Sequence, residues 1–481
     1  MKEMKWKPQK SSSVPLHLQI YNYLKRKIMH GEWTVGTKIP TQRELAKQFQ
    51  VNRSTVVYAL DGLIADGLLE TKVGNGTWVI NNTWSLLTST PPPDWKSYVS
   101  SGIYKPNLTI IQEINRAEAQ PEFIRLGTGE LSPNLLPNDK MKEILRTGNE
   151  ALSLGYVEPK GLLSLRKTVS DYLKLKGIVA SPESILIVSG GLQALQLISI
   201  GLLERGSTIL HETPSYLNSV HVFQSAGMNL LGIPLEQEGI RVDDIEHLKR
   251  QHNATLLYTI PNFQNPTGTL MTEGRRSKLL NACQKLSLPI IEDDVYGDLW
   301  IESPPVNPLK AKDTQGNVLY IGSISKTLSP GLRIGWIVGP EPVIDRLADI
   351  KMQTDYGSSS LSQYTVEKWL ASGLYTSFLK EIRAELKSRR DFTIQLLNDF
   401  FLEIATWSLP KGGFYIWLRL KSNISTKKLF DLALREHILL NPGIIYDKSD
   451  LNHLRLSYSF ASLEQLKDGL IRLSQLIKIL T

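Results

Sequence analysis

A segment rich in Ser, Thr and Pro divides this chain into two regions of different character. It covers residues 81–120, contains three consecutive prolines, and lacks a regular helical or strand pattern of apolar residues. Such a composition is typical of a linker, and its proline-rich part is stiff. The sequence therefore predicts three parts: an N-terminal domain over 1–80, a linker over 81–120 and a large body over 121–481.

The composition predicts an ordered protein with several domains. The chain has 481 residues, of which 41% are hydrophobic and 21% charged, and these values exclude collagen-like, mostly disordered and coiled-coil proteins. Its single cysteine, Cys283, cannot form an internal disulfide and is expected to be an inert core residue, and no CxxC or HExxH spacing predicts a metal site. The basic N-terminus lacks the apolar stretch of a signal peptide. We therefore expect a cytoplasmic protein with no membrane segment and no metal.

Positive charge is concentrated in the N-terminal domain. Residues 1–85 contain 12 Lys and Arg against 6 Asp and Glu, so they hold +6 of the net charge of +8. A local positive field attracts phosphate backbones, although ordinary solvated lysines would give the same count. The charge alone leaves both interpretations open.

The pattern of this domain predicts a helix-turn-helix followed by a β-hairpin. Thr41 and Glu44 form a capping box that begins one helix, and Asn52 can cap the next. Helical spacing predicts that the buried stripe of this second helix is Val56, Leu60, Leu63 and Ile64. Its outward positions are those with which a recognition helix reads a DNA groove. A strand rather than a helix follows Gly74 and Gly76, which predicts a wing and excludes a dinucleotide-binding turn.

These segments resemble the winged helix-turn-helix of the GntR regulators. The family patterns PLxxQI, GxxLPSxRxLA, VSRxTVxxALxxLxxxGLL and GxGTxV correspond to residues 15–20, 36–46, 51–69 and 74–79, with Thr41 and Asn52 as small departures. The resemblance implies that the domain binds a double-stranded DNA operator. The DNA-contacting residues that it implies are Arg43, Asn52, Arg53, Ser54, Gly74 and Asn75. Arginine suits this role because its guanidinium binds guanine or phosphate through two hydrogen bonds.

Short apolar runs alternate with helical stretches in the first part of the body. The runs are 185–188, 208–210, 256–260, 289–291 and 318–321. This alternation predicts an α/β lobe, over about 150–340, with a mostly parallel sheet and helices on both faces. The remainder, about 341–481, is mainly helical with two strand-like segments, which predicts a smaller α+β lobe.

Polar residues follow several of the predicted strands, as in a ligand cleft at the carboxyl ends of a parallel sheet. Gly190 and Gly191 break a strand and leave backbone N–H groups at a helix start, where an anion can bind. The other polar positions of this set are Tyr156, Tyr216, Asn262, Asn265, Asp293, Tyr296, Lys326, Arg333 and Arg455. Pyridoxal 5'-phosphate needs such a set, because its aldehyde bonds a lysine, its ring nitrogen needs a carboxylate and its phosphate needs several donors.

The set resembles fold-type I aminotransferases over about 120–481, most specifically through NPTG and SxSKxxxPGxRxG. This resemblance implies that Lys326 forms the Schiff base with pyridoxal 5'-phosphate and that Asp293 pairs with the ring nitrogen. Arg455 would bind the α-carboxylate of an amino acid, and we group Tyr156 with it as an effector-binding residue.

The same resemblance assigns the remaining cofactor contacts. Asn265 and Tyr296 would hold the ring hydroxyl, and Tyr216 would stack on the ring, although core packing remains the alternative for Tyr216. The implied phosphate cradle is Gly190, Gly191, Leu192, Ser323 and Arg333. Relatives usually have Ser or Thr followed by Gln where this chain has Gly191 and Leu192, so two side-chain donors are missing.

A GntR-type domain joined by a long linker to an aminotransferase-like body resembles the MocR regulators over nearly the entire chain. This resemblance implies a PLP-dependent transcription regulator in which an amino acid or amine effector forms an aldimine and repositions the DNA-binding domains of a homodimer, arranged head to tail. Two alternatives stay open. The chain could be an active aminotransferase that carries a DNA-binding domain, since the catalytic set is present, or its body could serve only as a dimerisation scaffold.

Overall fold

The computed structural model describes residues 6–72, 74–81, 94–102, 107–147, 155–422 and 424–480. The chain separates into two compact units, Met1–Ile103 and Tyr104–Thr481, and the division lies within the predicted linker. Residues 82–93 and 103–106 of that linker are outside the described residues.

The first unit contains three helices and a two-stranded sheet, followed by one short helix. Its elements are α1 Leu16–Met29, α2 Gln42–Phe49, α3 Arg53–Ala65, β1 Leu69–Lys72, β2 Gly76–Val79 and α4 Trp95–Ser101. β1 and β2 pair antiparallel, which confirms the predicted wing. The capping box is also confirmed: Thr41 Oγ1 accepts from the Glu44 N–H, and the Glu44 carboxylate accepts from the Thr41 N–H at 2.7 Å.

The buried stripe of α3 differs from the prediction at one position. Val56, Leu60 and Leu63 are buried as expected, but Ala59 completes the stripe and Ile64 is 38% exposed. With 3.6 residues per turn, Ile64 lies at the edge of the face that Val56 and Leu63 define, so it extends towards solvent.

In the described residues, the second unit has one large mixed sheet, one small antiparallel sheet and one two-stranded parallel sheet, which pairs residues 124–125 with residues 438–439. Its helices and strands in chain order are α5 Thr109–Glu118, β3 Ile124–Arg125, α6 Asn138–Thr147, α7 Leu163–Lys174, β4 Ile185–Val188, α8 Gly191–Leu202, β5 Thr208–Thr213, α9 Val222–Ser225, β6 Asn229–Glu236, β7 Gly239–Ile240, α10 Asp244–His252, β8 Ala254–Thr259, α11 Glu273–Lys285, β9 Ile290–Asp293, β10 Val318–Ser323, β11 Gly335–Val338, α12 Glu341–Thr354, α13 Ser360–Ala371, α14 Leu374–Phe401, β12 Ala405–Trp407, β13 Tyr415–Leu420, α15 Thr426–Arg435, β14 Ile438–Leu439, β15 Asn441–Pro442, β16 His453–Ser457 and α16 Leu463–Leu480.

The large sheet has the order β4-β11-β10-β9-β8-β5-β6-β7, in which β11 and β7 run antiparallel to their neighbours and the other adjacent pairs are parallel. Along β4, Ile185 and Ile187 pack into one hydrophobic core and Leu186 and Val188 into another. Because successive side chains of a strand point to opposite faces, both faces of the sheet are covered. The predicted α/β architecture is therefore confirmed, and its strands end at one edge, where a ligand cleft can form.

A smaller lobe follows the large sheet. β12, β13, β16 and β15 form a four-stranded antiparallel sheet, as the two strand-like segments of the sequence predicted. No helix in the described ranges is long and apolar enough to cross a membrane.

Helix α5 lies inside the segment predicted as linker but belongs to the body. Its Ile114 and Ala117 are buried in the same hydrophobic core as β16 residues. Spacing of three residues between these two positions places them on one face of the helix. The ordered body therefore begins before residue 120.

Candidate functional site

The predicted DNA-contacting residues of the two helices lie at helix starts and are exposed. Arg43 is in the first turn of α2, and Arg53 and Ser54 are in the first turn of α3. Arg53 donates from Nε and Nη2 to Gln42 Oε1, at 3.1 and 2.9 Å, so its guanidinium is held beside the start of α2. Asn52 precedes α3 with extended backbone, but its side chain makes no capping hydrogen bond, contrary to the prediction.

The wing turn presents its two predicted contact residues to solvent. Gly74 has φ +75° and is exposed, as is Asn75, whose N–H donates to the Lys72 carbonyl at 2.9 Å. A positive φ favours glycine because it has no Cβ. The turn therefore keeps a small residue at its tip, which allows close approach to another surface.

In the second unit, one cavity of about 720 Å³ contains most of the predicted cofactor residues. The predicted residues that line it are Gly191, Leu192, Tyr216, Asn265, Asp293, Tyr296, Ser323, Lys326, Arg333 and Arg455. They come from separate segments that follow strands of the large sheet, together with β16 of the small lobe.

Asp293 ends β9 and is 5% exposed. Its Oδ2 accepts a hydrogen bond from the Tyr258 hydroxyl at 2.7 Å, whereas its Oδ1 has no hydrogen-bond partner within the described ranges. Burial raises the pKa of Asp293 to about 6, helped by the Asp294 charge and opposed by the Tyr258 hydrogen bond and the charge of Lys326. Since buried polar atoms are normally paired, this oxygen fits a cofactor that brings a protonated ring nitrogen.

Lys326 and Arg333 lie on the loop that joins β10 to β11. Lys326 Nζ donates to the Gly129 carbonyl at 2.7 Å, and Arg333 Nη2 donates to the Ser189 carbonyl at 2.8 Å. Gly190 has φ +85°, and a Cβ at this position would lie 2.6 Å from Arg333 Nη2. Gly190 itself does not line the cavity, but its missing side chain allows the guanidinium to approach the start of α8, where backbone N–H groups favour an anion.

Ser323 lines the cavity but bonds other protein groups. Its hydroxyl donates to the Ile334 carbonyl at 3.1 Å and shares a second hydrogen bond with the Ser325 hydroxyl at 3.0 Å. Ser325 also lines the cavity, and the sequence prediction missed it although it precedes Lys326 in the SxSK motif.

Arg455 is 7% exposed and lies between two aromatic rings. Its Nη1 donates to Asn265 Oδ1 at 2.8 Å and its Nη2 to the Gly127 carbonyl at 2.7 Å. The guanidinium lies 4.2 Å from the ring centre of Tyr415 and 4.9 Å from that of Tyr446. Its Nε has no partner among the residues that the structure describes, so this cation can still bind a carboxylate.

Some predicted positions make other contacts than the sequence implied. The Tyr296 and Tyr415 hydroxyls share a hydrogen bond of 2.9 Å. Asn262, grouped with the site from its sequence context, donates to Asp294 Oδ1 at 2.6 Å and does not line the cavity. Tyr156 is likewise absent from the cavity of its own chain: it is 89% exposed, and its ring centre lies 5.0 Å from that of Tyr356.

The sequence prediction also missed Tyr258, Tyr415, Tyr446 and the 127–129 segment. A buried tyrosine in an apolar strand needs a partner for its hydroxyl, and this was the available signal for Tyr258. The backbone carbonyls of the 127–129 segment carry no side-chain signal that could have been read from the sequence.

Comparison with known proteins places both units in families. Residues 16–79 match the GntR family of bacterial regulatory proteins, and residues 121–473 match aminotransferase class I and II. The HTH-type transcriptional regulator YisV of Bacillus subtilis (strain 168) is 56% identical over 466 residues, covering 97% of this chain and 96% of YisV. The chain belongs to the MocR-type GntR transcription regulators.

Other relatives support the same assignment of this MocR-type regulator. The HTH-type transcriptional regulator NorG of Staphylococcus aureus (strain USA300) is 37% identical over 453 residues, covering 92% of this chain and 99% of NorG. A kynurenine aminotransferase of Pyrococcus horikoshii, solved in complex with PMP, is 30% identical with a TM-score of 0.75, covering 80% of this chain and 98% of that protein. The regulator therefore combines a GntR DNA-binding domain with a fold-type I aminotransferase domain, a fold that implies pyridoxal phosphate as cofactor.

Proposed function

We propose that this regulator holds pyridoxal 5'-phosphate at Lys326 and senses an amino acid or amine in the same cavity. The observation that carries this proposal is the meeting in one cavity of Lys326, the Arg455 guanidinium and a buried Asp293 oxygen that has no hydrogen-bond partner among the described residues. The cofactor, when bound, supplies an aldehyde that reacts with primary amines.

Different residues of the chain would bind different groups of this cofactor. Asp293 would keep the ring nitrogen protonated, while Tyr258 orients the carboxylate from its other oxygen. The phosphate would bind Arg333 and the N–H groups that begin α8, together with Gly190, Gly191, Leu192 and Ser323. Because the Ser323 hydroxyl already bonds protein atoms, Arg333 and the helix start are expected to dominate. Asn265 and Tyr296 are proposed for the ring hydroxyl and Tyr216 for stacking on the ring.

The effector would bind through its carboxylate to Arg455. Binding would then shift the balance between arrangements of a homodimer and so change how two DNA-binding domains meet an operator. Because Tyr156 is 89% exposed in its own chain, the effector-binding role proposed for it would require a second subunit to cover it. A head-to-tail arrangement of the two chains in the cytoplasm is part of this proposal.

Contact with operator DNA is proposed for Arg43, Asn52, Arg53, Ser54, Gly74 and Asn75. Their exposure in the first turns of two helices and at a wing tip supports this role. The excess of Lys and Arg in residues 1–85 would add a salt-dependent attraction to phosphate.

Absorbance spectroscopy tests the sensing role. The full chain, loaded with pyridoxal phosphate, is titrated with amino acids and amines, and operator binding is measured by gel shift at each step. We expect a saturable spectral change that alters DNA affinity, and no change with matched carboxylic acids that lack an amino group. A spectrum that no primary amine alters would contradict the proposal.

Aminotransferase activity is the second candidate, since the body is 30% identical to a solved aminotransferase and Arg455 is present. Addition of an amino acid together with a 2-oxo acid distinguishes the two functions. Many turnovers per chain would favour a metabolic enzyme, whereas a stable spectral change without released product would favour a sensor.

A further inference from the structure

One face of α5 lines the cavity at which the effector is proposed to bind. Its cavity-facing residues, Ile111, Ile114, Asn115 and Glu118, recur at intervals of three and four positions. Such intervals place side chains on one face of a helix. The last of them brings a carboxylate to the effector cavity, whose lining also contains the carboxylates of Glu130 and Asp293 and the cations Lys326, Arg333 and Arg455.

A three-residue segment connects this carboxylate to the two groups that the proposed function uses. Glu118 Oε1 accepts from Thr128 Oγ1 at 2.8 Å. The neighbouring carbonyls of Gly127 and Gly129 accept from Arg455 Nη2 and Lys326 Nζ, each at 2.7 Å. Because consecutive Cα atoms are only about 3.8 Å apart, the acid, the lysine and the arginine surround one small volume.

Close packing leaves no side chain at either glycine of this segment. A Cβ at Gly127 would lie 2.0 Å from Asn441 Oδ1, and one at Gly129 would lie 2.1 Å from the Tyr415 hydroxyl. Contacts this short are not tolerated in folded proteins, so the segment is held tightly against the small lobe. The segment that bonds Glu118 through Thr128 and also bonds Lys326 and Arg455 is thereby fixed in place.

The Glu118 carboxylate has unused acceptor capacity. A carboxylate can accept about four hydrogen bonds, and only the Thr128 hydroxyl donates to this one in the described part of the chain. The nearby Arg125 donates instead to the Glu118 main-chain carbonyl, and its guanidinium lies 4.6 Å from the ring centre of Phe460. Within the described residues, Glu118 therefore forms no ion pair.

Glu118 nevertheless acts on Arg455 at longer range. Burial opposes the charge of Arg455, but the nearby hydroxyl groups of Tyr415, Tyr446 and Tyr296, with Glu118, more than offset it and raise the Arg455 pKa. Phosphate would neutralise Arg333, and an α-carboxylate would neutralise Arg455. Glu118 has no ion pair of its own in the described residues, so a cationic nitrogen on the ligand could pair with its carboxylate.

We propose that Glu118 binds a cationic nitrogen on the effector's side chain, so that the effector is a basic amino acid with two nitrogens. One amino group would face the cofactor, the α-carboxylate would bind Arg455, and the second nitrogen would bind Glu118. This inference rests on the proposed function, because it takes the same cavity as the effector site. Arg455 is more than nine-tenths buried, and its Nε has no partner in the described part of the chain, which independently indicates that a ligand completes this cavity.

Calorimetric and absorbance titrations of the full chain loaded with pyridoxal phosphate test this specificity. Two ligand pairs isolate the second nitrogen: L-ornithine against L-norvaline, and L-lysine against L-norleucine. We expect the basic member of at least one pair to bind about tenfold more tightly or better, which corresponds to about 1.4 kcal/mol. If the wild-type protein binds the two members of each pair with equal affinity, that result alone overturns the inference.

Variants then assign the preference to one carboxylate. Glu118→Gln keeps the size and the Thr128 hydrogen bond but removes the charge, so we expect it to reduce the preference to about threefold or less without weakening norvaline or norleucine. Glu113→Gln, on another face of the same helix, is the matched control and should keep the full preference. A Glu118→Gln variant that keeps the full preference would overturn the inference, whereas failure of all amino acids to bind would overturn the proposed function instead.

Discussion

The two proposed binding surfaces of this regulator differ in how deeply their charged residues are buried. In the DNA-binding unit, Arg43 and Arg53 are exposed at the starts of helices. In the aminotransferase-like unit, Asp293 is 5% exposed and Arg455 is 7% exposed. An exposed side chain can be replaced with little effect on folding, whereas a buried charge couples function to stability. We therefore expect mutations in the DNA-binding unit to change binding with little change in stability, and mutations of buried charges in the aminotransferase-like unit to change both.

Lys326→Ala gives the largest expected effect. Without the amine, borohydride reduction should trap no cofactor on the chain, while DNA binding by the cofactor-free protein stays unchanged. Mass spectrometry of the peptide that contains position 326 measures the adduct. Lys285→Ala, at an exposed position of α11, is the matched control and should retain full labelling. Stoichiometric labelling of Lys326→Ala would contradict the assignment.

Asp293→Asn tests the coupling between burial and stability. The pKa of Asp293 in the folded chain is raised by burial to about 6, above its ordinary value of 3.8. The folded chain therefore binds more protons than the unfolded chain between these values, and wild-type stability falls as pH rises through them. We expect cofactor-free wild type to lose up to about 3 kcal/mol relative to Asp293→Asn between pH 4 and pH 7.

Denaturant unfolding at several pH values measures this difference. Glu212 and Glu292 are also buried, and burial raises the pKa of each to about 7, so they contribute in the same direction in both proteins. Subtracting one curve from the other leaves the contribution of Asp293, including the effect of its charge on the pKa of Glu212. Parallel curves for the two proteins would show that folding does not raise the pKa of Asp293 and would contradict the prediction.

Arg53→Ala should separate DNA binding from stability in the first unit. Loss of a two-bond arginine contact typically weakens binding by about 1–3 kcal/mol, or roughly 5- to 150-fold. Because Arg53 is exposed and bonds only Gln42 in the described residues, the melting temperature should stay within about 1 °C. Gel-shift titration and thermal unfolding measure the two quantities, and Lys10→Ala, away from both helix starts, serves as a control for charge. If Arg53→Ala binds DNA with wild-type affinity, Arg53 is not part of the DNA interface.

Gly190→Ala and Gly206→Ala give the smallest expected effects and form a matched pair. Both glycines have positive φ, +85° and +89°, so an added Cβ strains each backbone, and Gly190, with ψ 171°, lies in a region that is essentially restricted to glycine. Only at Gly190 would the new Cβ also displace Arg333, since no atom of the described residues lies within 4 Å of a Cβ at Gly206. Both variants should lose stability, Gly190→Ala by more, but only Gly190→Ala should weaken cofactor binding, by several-fold. Equal cofactor affinities of the two variants would show that cofactor binding does not require the close approach of Arg333 to Gly190.

Local patterns predicted the architecture well. The capping box at Thr41 and Glu44, the wing hairpin and five of the eight strands of the large sheet lie where the sequence placed them, whereas β6, β7 and β11 were not predicted. Each depends on the spacing of neighbouring residues, which the sequence displays directly. The errors are similarly local: Ile64 lies at the margin of a helical stripe, and a proline-rich stretch concealed the start of the ordered body at α5.

The sequence by itself determined the order of the domains, the DNA-binding pattern and the set of polar residues that a pyridoxal phosphate site needs. The tertiary structure alone decided which of these residues meet and what else joins them. Arg455 bonds the Gly127 carbonyl across 328 positions, Glu118 faces the same cavity, and Tyr156 is outside it. Spacing along the chain reports only on neighbours within a helix or strand, and contacts over hundreds of residues form only when strands and helices pack into one core.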